Sequence, residues 1–309
     1  MTRENINDES AKSENQIIKE EVNLQFHWYL LAFFAIFTLS FLIPGIIFTL
    51  YLNFFFTPYF LETSRFSDLF LNLNSILALI LMPLVVIICY LIHLFFVGLI
   101  TRIFWSYTER KSPTKDGIIP RNIPSKTLDY YSIRSFMIKY PKNALVKGPF
   151  PWLLNWFYNY VGANKIGKNT TIEEQFGADR YIDIGDNCYV GVNCGFSSHS
   201  VEGVLGNIAY FEIKLGDNVT TAGLNCLAPG VEIKDNAYLL PLAGAVKHST
   251  IKGKDNFYFG APLRKIFTKK IMNYLKISEQ DIQKNAEMME RNKQLKKSKN
   301  ESMDNKNDN

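Results

Sequence analysis

The sequence predicts a mainly β chain, a left-handed parallel β-helix of six-residue repeats preceded by two transmembrane α-helices. Three observations carry this expectation. Two stretches in the N-terminal third contain no charged residue, large apolar residues then recur at every sixth position, and Gly and Asn punctuate those repeats at fixed offsets.

The uncharged stretches come first in the chain. No Asp, Glu, Lys or Arg occurs from Val22 to Leu61 or from Leu69 to Thr101. Each exceeds the roughly 20 apolar residues that cross a bilayer as helix. The expected spans are 28–52 and 76–101 within an anchor at 22–106, with Glu62, Arg65 and Asp68 marking the connection. Pro44 and Gly45 interrupt the first span, which a membrane helix tolerates when its neighbours re-satisfy the freed backbone groups. Trp28, Tyr29, Tyr51, Trp105 and Tyr107 stand near the span ends, as interfacial aromatics do. A polar tail, 1–21, precedes the anchor and is expected to be disordered, which argues against a cleaved signal peptide.

Arg65 is the only basic residue of the 62–68 connection, whereas Arg102, Arg110, Lys111, Lys115 and Arg121 follow the second span. This asymmetry predicts a multi-pass cell-membrane protein with both termini cytoplasmic. The net charge of +5 is modest, and anionic headgroups account for the basic residues near the membrane without a nucleic-acid partner. The four cysteines form no CxxC pair, so neither a disulfide framework nor a zinc site is suggested.

The repeat dominates residues 161–266. Ile166, Ile172, Ala178, Ile184, Val190 and Phe196 keep a strict step of six, and a second run follows through Leu215, Thr221, Leu227, Ile233, Leu239, Ala245, Ile251 and Phe257. Small or apolar residues recur four positions after these, at Thr170, Cys188, Cys194, Val219, Val231, Ala237, Ala243 and Ser249. A step of six matches neither the helical period of 3.6 nor a simple meander. It fits short strands that each form one side of a triangular coil, three hexads to a turn. Asn169, Asn187, Asn218 and Asn236 suit the corners, since Asn tolerates left-handed backbone. Phe196 and Leu215 are nineteen apart, which places an excursion at about 197–212. Excursions from solenoids often carry function.

The flanks are read more simply. Residues 107–160 form a linker with capping helices, in which the aromatic stretch Phe150–Tyr160 covers the first coil or lies on the bilayer surface. Residues 267–309 read as a charged helix and a disordered tail.

The stretches IGKNTTI, IGDNCYVGVNC and LGDNVTTAGLNCLAPGVEIKDNA resemble the hexapeptide-repeat acyltransferases, and AGAVKHSTIKGKDNFYFGAPLRKI is similar to their closing coil and exit. Membrane spans, then FPWLLNWFYNYVGANKIGKN, then a coil carrying SHSVEG most resemble the membrane-tethered C-terminal domains of polylysine-synthetase-type nonribosomal peptide synthetases. The resemblance implies a histidine that deprotonates an acceptor hydroxyl or amine, which then attacks a thioester on coenzyme A or a carrier protein. It implies no tightly bound cofactor. It also implies an active site between the subunits of a homotrimer, although the tether and the large loop are equally compatible with a monomer. The chain departs from the polylysine type in having one such unit, no adenylation or carrier domain, and VEG where an acidic pair is expected. An aminoacyl donor would therefore come from a separate protein.

His199 matches the histidine of the family motif, and an imidazole of ordinary pKa suits proton abstraction at neutral pH. Glu202, three residues on, is the candidate to orient His199 or to bind an acceptor ammonium. Lys247 and His248, in the closing coil, are the candidates for the donor's phosphate and its surroundings. Asn225 reads as a rung of an inward ladder. Cys188, Cys194 and Cys226 read as small hydrophobes rather than nucleophiles. Two histidines outside the spans cannot supply the three ligands of a catalytic zinc, so no metal is expected. The leading expectation is a membrane-anchored acyl or aminoacyl transferase with a thioester donor. The alternative is a non-catalytic membrane-tethered β-helix scaffold that binds a partner.

Overall fold

The computed structural model describes residues 26–62, 65–173, 177, 180–254 and 256–266, together with some of the residues between 271 and 294. The polar tail at 1–21, Ala178 and the tail beyond 294 lie outside the described residues. Two long apolar helices open the fold. α1 (Phe26–Tyr51) runs on as a π-helical segment (Leu52–Leu61), and after the short α2 (Asp68–Leu71) comes α3 (Leu73–Lys111). Both are long and apolar enough to cross a membrane, and most of their Leu, Ile and Phe side chains point away from the protein. They exceed the expected spans. α3 has 39 residues, or about 58 Å at 1.5 Å per residue. That is about twice the roughly 30 Å of a bilayer's hydrocarbon layer, and in its last turn Arg110 and Lys111 favour the negative end of the helix dipole.

The repeat region forms three parallel sheets. In the first, β2 (Lys165–Ile166), β4 (Ile182–Ile184), β9 (Ile213–Leu215), β12 (Glu232–Ile233) and β15 (Thr250–Ile251) stack in chain order. The second stacks β3 (Thr171–Ile172), β5 (Tyr189–Val190), β10 (Thr220–Thr221), β13 (Ala237–Leu239) and β16 (Asn256–Phe259), with β17 (Arg264–Ile266) antiparallel at its edge. The third stacks β6 (Gly195–Phe196), β11 (Cys226–Leu227) and β14 (Gly244–Ala245). Stacked partners such as Ile166 and Ile184, or Ile233 and Ile251, are 18 residues apart. Three hexads per turn thus hold wherever the chain does not leave the coil. The sixth-position residues Ile166, Ile184, Val190, Phe196, Leu215, Leu227, Ile233 and Leu239 are buried in one continuous core.

The corners follow the same columns. Asn169, Asn187, Asn218 and Asn236 adopt φ of 55–59°, the left-handed region their side chains tolerate. A second column, not anticipated, comprises Asn193, Leu224 and Leu242, and a third comprises Tyr181, Gly230 and His248.

Across the excursion, partners are 31 residues apart: Ile184 pairs with Leu215 and Val190 with Thr221. The excursion therefore inserts 13 residues, two hexads plus one, which accounts for the interval of nineteen between Phe196 and Leu215. The inserted residues form a hairpin rather than an irregular loop. β7 (His199–Glu202) and β8 (Asn207–Tyr210) are antiparallel, and β1 (Gly117–Pro120) from the linker joins β8 as a third strand.

Two expectations need correction. Phe257 does not continue the axial column. Leu239 pairs with Tyr258, so the last turn is one residue longer, and Tyr258 packs on the core while Phe257 is displaced. The chain as a whole is also not mainly β. Helical residues outnumber strand residues, because the short two- or three-residue strands of the coil weigh little against α1, α3 and the linker helices.

Those linker helices are α4 (Lys126–Met137), α5 (Lys139–Val146) and α6 (Leu153–Val161). Ser125 caps α4 by accepting from the Leu128 N–H at 3.2 Å. α6 lies over the first coil. The Asn159 amide accepts from the Ile166 N–H and donates to the Ile166 carbonyl, each at 2.8 Å, and Asn155 donates to the Thr170 carbonyl at 2.6 Å. These side chains supply the partners that a further coil would have provided. On its other face α6 sets Trp156 against Gly98 and Phe95 of α3, and Arg102 lies 4.5 Å from the Tyr160 ring centroid. One short helix thus couples the apolar pair to the coil. Replacing Asn159 with Ala leaves both backbone groups of Ile166 without that partner and is expected to lower stability by about 2 kcal/mol. Urea unfolding of the full chain in detergent, followed by circular dichroism, measures it.

Candidate functional site

The excursion leaves the coil at its third corner. Ser198 is the last residue in register, its hydroxyl donating to the Arg180 carbonyl one turn below at 2.7 Å, and Phe211 N–H donates back to the Ser198 carbonyl at 2.9 Å. His199 is the first residue of the departing strand β7 and sits opposite Tyr210 of β8. It is half-buried, and its ring meets the edge of the Tyr131 ring of α4 at a centroid distance of 6.0 Å.

Behind Tyr131 is a buried polar cluster that the sequence did not suggest. Arg180 is 1% exposed. Its guanidinium lies 4.6 Å from the Tyr131 ring centroid and 5.4 Å from that of Tyr210, donates to the Tyr210 hydroxyl at 3.2 Å, and donates to Ser135 Oγ at 2.5 Å. Arg134, also buried, donates to the Ser112 carbonyl at 2.7 Å and pairs with Glu109 at 3.3 Å. Burial pushes the Tyr131 phenol above its ordinary pKa, partly offset by the Arg180 charge. Tyr181 is pushed up further by burial, then by its hydrogen bond to Asp116 and by the Asp116 and Glu212 carboxylates. A cavity of about 320 Å³ opens beside this cluster, lined by Tyr131, Arg134, Tyr210, Ser125, Thr127 and the 113–120 segment.

The other sequence candidates meet on the far side of the hairpin. Glu202 does not sit with His199. The two are three apart in one strand, so their side chains leave on opposite faces, and Glu202 instead forms an ion pair with Lys247. His248 lies edge-on against Phe211 at the hairpin's base, 4.4 Å between centroids. Gly230 makes this possible. It stands at φ 75° one turn below His248, and a Cβ there would come within 2.5 Å of His248 Nδ1. The hairpin is therefore held from two sides, by Tyr131 through His199 and by the closing coil through Glu202 and Phe211. Because the Glu202–Lys247 pair is partly exposed and Glu202 leaves its strand on the face opposite His199, Glu202→Gln is expected to lower any transfer rate less than about tenfold. A steady-state rate comparison checks it.

The remaining candidates are placed away from the hairpin's chemistry. His93 of α3 is buried, stacked on Phe41 and 3.2 Å from the Tyr140 hydroxyl. Cys188 and Cys194 are buried in the coil and burial pushes both thiols up, which disfavours a thiolate, whereas Cys226 is exposed. Asn225 is fully buried and donates to the Leu240 carbonyl at 2.8 Å. Among the described residues no group of three or more His, Cys, Asp or Glu side chains is arranged to hold a metal ion.

No protein-family model matches the chain, and no curated protein does. Solved structures do resemble it. A hexapeptide-repeat-containing acetyltransferase from Vibrio cholerae O1 biovar eltor, solved with acetyl coenzyme A, is 15% identical over 48% of this chain and 93% of its own, with a TM-score of 0.39. Another structure of the Vibrio cholerae enzyme is 21% identical over 34% of this chain and 61% of its own, with a TM-score of 0.31. A maltose O-acetyltransferase from Clostridium difficile 630 is 23% identical over 35% of this chain and 59% of its own, with a TM-score of 0.31. The chain thus spans about three fifths of the length of two of these structures.

Proposed function

We propose that the chain is a membrane-anchored transferase that moves an acyl or aminoacyl group from a thioester to an amine or hydroxyl acceptor at the cytoplasmic membrane face. The observation that carries this reading is the inserted hairpin, which starts at a half-buried histidine on an otherwise regular coil and sets that histidine against Tyr131, a ring that also lines the cavity. In this reading the coil is left-handed, and His199 takes the acceptor's proton as the acceptor attacks the thioester carbonyl. The thiol leaves, carrying the proton that the imidazolium returns. The cavity beside Tyr131 has the size of a small acceptor's pocket. Glu202 and Lys247, on the opposite face, hold the hairpin to the coil, and in this reading Lys247 and His248 meet the donor. Coenzyme A is the simplest donor class. A carrier-protein thioester is the second.

The anchor supports the location. α1 and α3 expose contiguous apolar surfaces of the kind that lipid covers, and Arg102, Arg110 and Lys111 stand in the last turns of α3, with Lys115 just after it. The test uses sealed membrane vesicles of both orientations given acyl-labelled coenzyme A. Label should enter a covalent product in inside-out vesicles and in neither orientation when the donor is an oxygen ester. Equal labelling of right-side-out vesicles contradicts the cytoplasmic site, and no product in either orientation favours the scaffold.

A further inference from the structure

We propose that the chain holds one anionic glycerophospholipid in a groove at the cytoplasmic end of its two long helices. The inference rests on the membrane reading above. A cavity of about 840 Å³ lies between the start of α1, the last turns of α3 and one face of α4. Its walls are Leu31 and Ala32 of α1, Ile103 and Phe104 of α3, and Ile133 and Met137 of α4, while Lys111, Lys126 and Asp129 stand around it.

The chemistry of these walls selects the occupant. The buried polar side chain of the lining, Thr108, already donates to the Trp105 carbonyl at 2.8 Å, and an otherwise apolar interior disfavours a sugar or nucleotide, whose hydroxyls would lose their hydrogen bonds there. It suits acyl chains. Two ammonium groups against one carboxylate leave a net positive rim, which suits a phosphate-bearing anionic headgroup. Trp28 and Tyr107 also line this cavity, and both are substantially exposed. These are the residue types that sit at headgroup level.

The groove has a structural consequence for the hairpin. Lys126, Asp129, Tyr130, Ile133 and Met137 recur at helical spacing and line the groove, while Tyr131 and Arg134 on the other side of α4 line the cavity near His199. A lipid in the groove therefore presses on the same helix that carries the Tyr131 contact.

The experiment reconstitutes the full chain in phosphatidylcholine nanodiscs with trace phosphatidylglycerol carrying a diazirine in one acyl tail, then maps cross-links by mass spectrometry. Labelling should be several-fold higher on peptides covering 103–111 and 126–137 than on the lipid-facing surface around Leu84 and Ile88. Unlabelled phosphatidylglycerol should compete and phosphatidylcholine should not. Ile133→Trp, which fills the groove, and the double variant Lys111→Gln, Lys126→Gln, which removes the rim charge, should each lower the groove labelling several-fold. Labelling equal to the mid-helix surface, or unchanged by both variants, overturns the proposal. Preferential labelling that phosphatidylcholine competes equally overturns the headgroup assignment. A chain that an alkaline wash strips from native membranes contradicts the membrane reading itself, and that result is obtained separately from the labelling.

Discussion

Replacing His199 with Ala is expected to lower kcat by about 10²–10⁴-fold, the range over which a positioned general base contributes, while KM for the thioester changes little. The expectation follows from placement. His199 opens the hairpin, faces Tyr131 rather than the coil's axis, and lies outside the continuous apolar core. Its removal therefore deletes an imidazole without opening a core cavity. A His27→Ala control separates this role from a general loss of histidines, because His27 is exposed at the start of α1. A loss smaller than about tenfold in a folded His199→Ala protein would mean that acceptor deprotonation needs no positioned base or uses another group.

The second large effect concerns the coil itself. Phe196→Ala is expected to cost about 3–5 kcal/mol, the sum of lost transfer free energy and the cavity left behind. Phe196 is 1% exposed and its strand stacks on Leu227, which stacks in turn on Ala245. Partners this close-packed collapse little into a void. The same residue is two positions before Ser198, where the chain leaves the coil, so its loss also loosens the base from which His199 departs. Phe196→Leu, which keeps most of the volume, should cost clearly less. Unfolding of the full chain in detergent measures both. A Phe196→Ala effect below about 1 kcal/mol contradicts a packed axial column.

The coil was legible because its physics is local and periodic. One inward side chain per short strand forces the step of six, and Asn at the turns supplies left-handed φ at low cost, so Ile184, Leu227 and Asn218 announce their positions individually. Leu224 and Leu242 did not, since leucine carries no turn signal and its left-handed φ is imposed by the stack above and below. The slip at Tyr258 was equally silent, because Phe257 and Tyr258 are both aromatic and either could continue the column.

For the site, sequence reasoning singled out His199, Glu202, Lys247 and His248. The structure gathers the last three around the hairpin's far side and leaves His199 with Tyr131. The alternation of a β-strand was the missed signal: once residues 199–202 are read as a strand, an offset of three cannot bring two side chains to one face. The buried cluster was out of reach for a different reason. Arg134 and Arg180 are 46 positions apart, and only the packing of α4 against the hairpin brings Ser135, Tyr131 and Tyr210 around Arg180, while Arg134 on the same helix pairs with Glu109. The third strand of the hairpin sheet is similar, since Ile118 and Ile119 give no hint of a partner some ninety residues later.

Thiol release by the purified full chain in lipid nanodiscs tests the central claim most directly. Coenzyme A thioesters and aminoacyl-carrier thioesters are supplied with a mixture of amine and hydroxyl acceptors. The account predicts release that depends on both donor and acceptor and that identifies one donor class. Absence of release from every donor, with the chain shown to be folded, would contradict a transferase and leave a membrane-tethered β-helix that binds without catalysing.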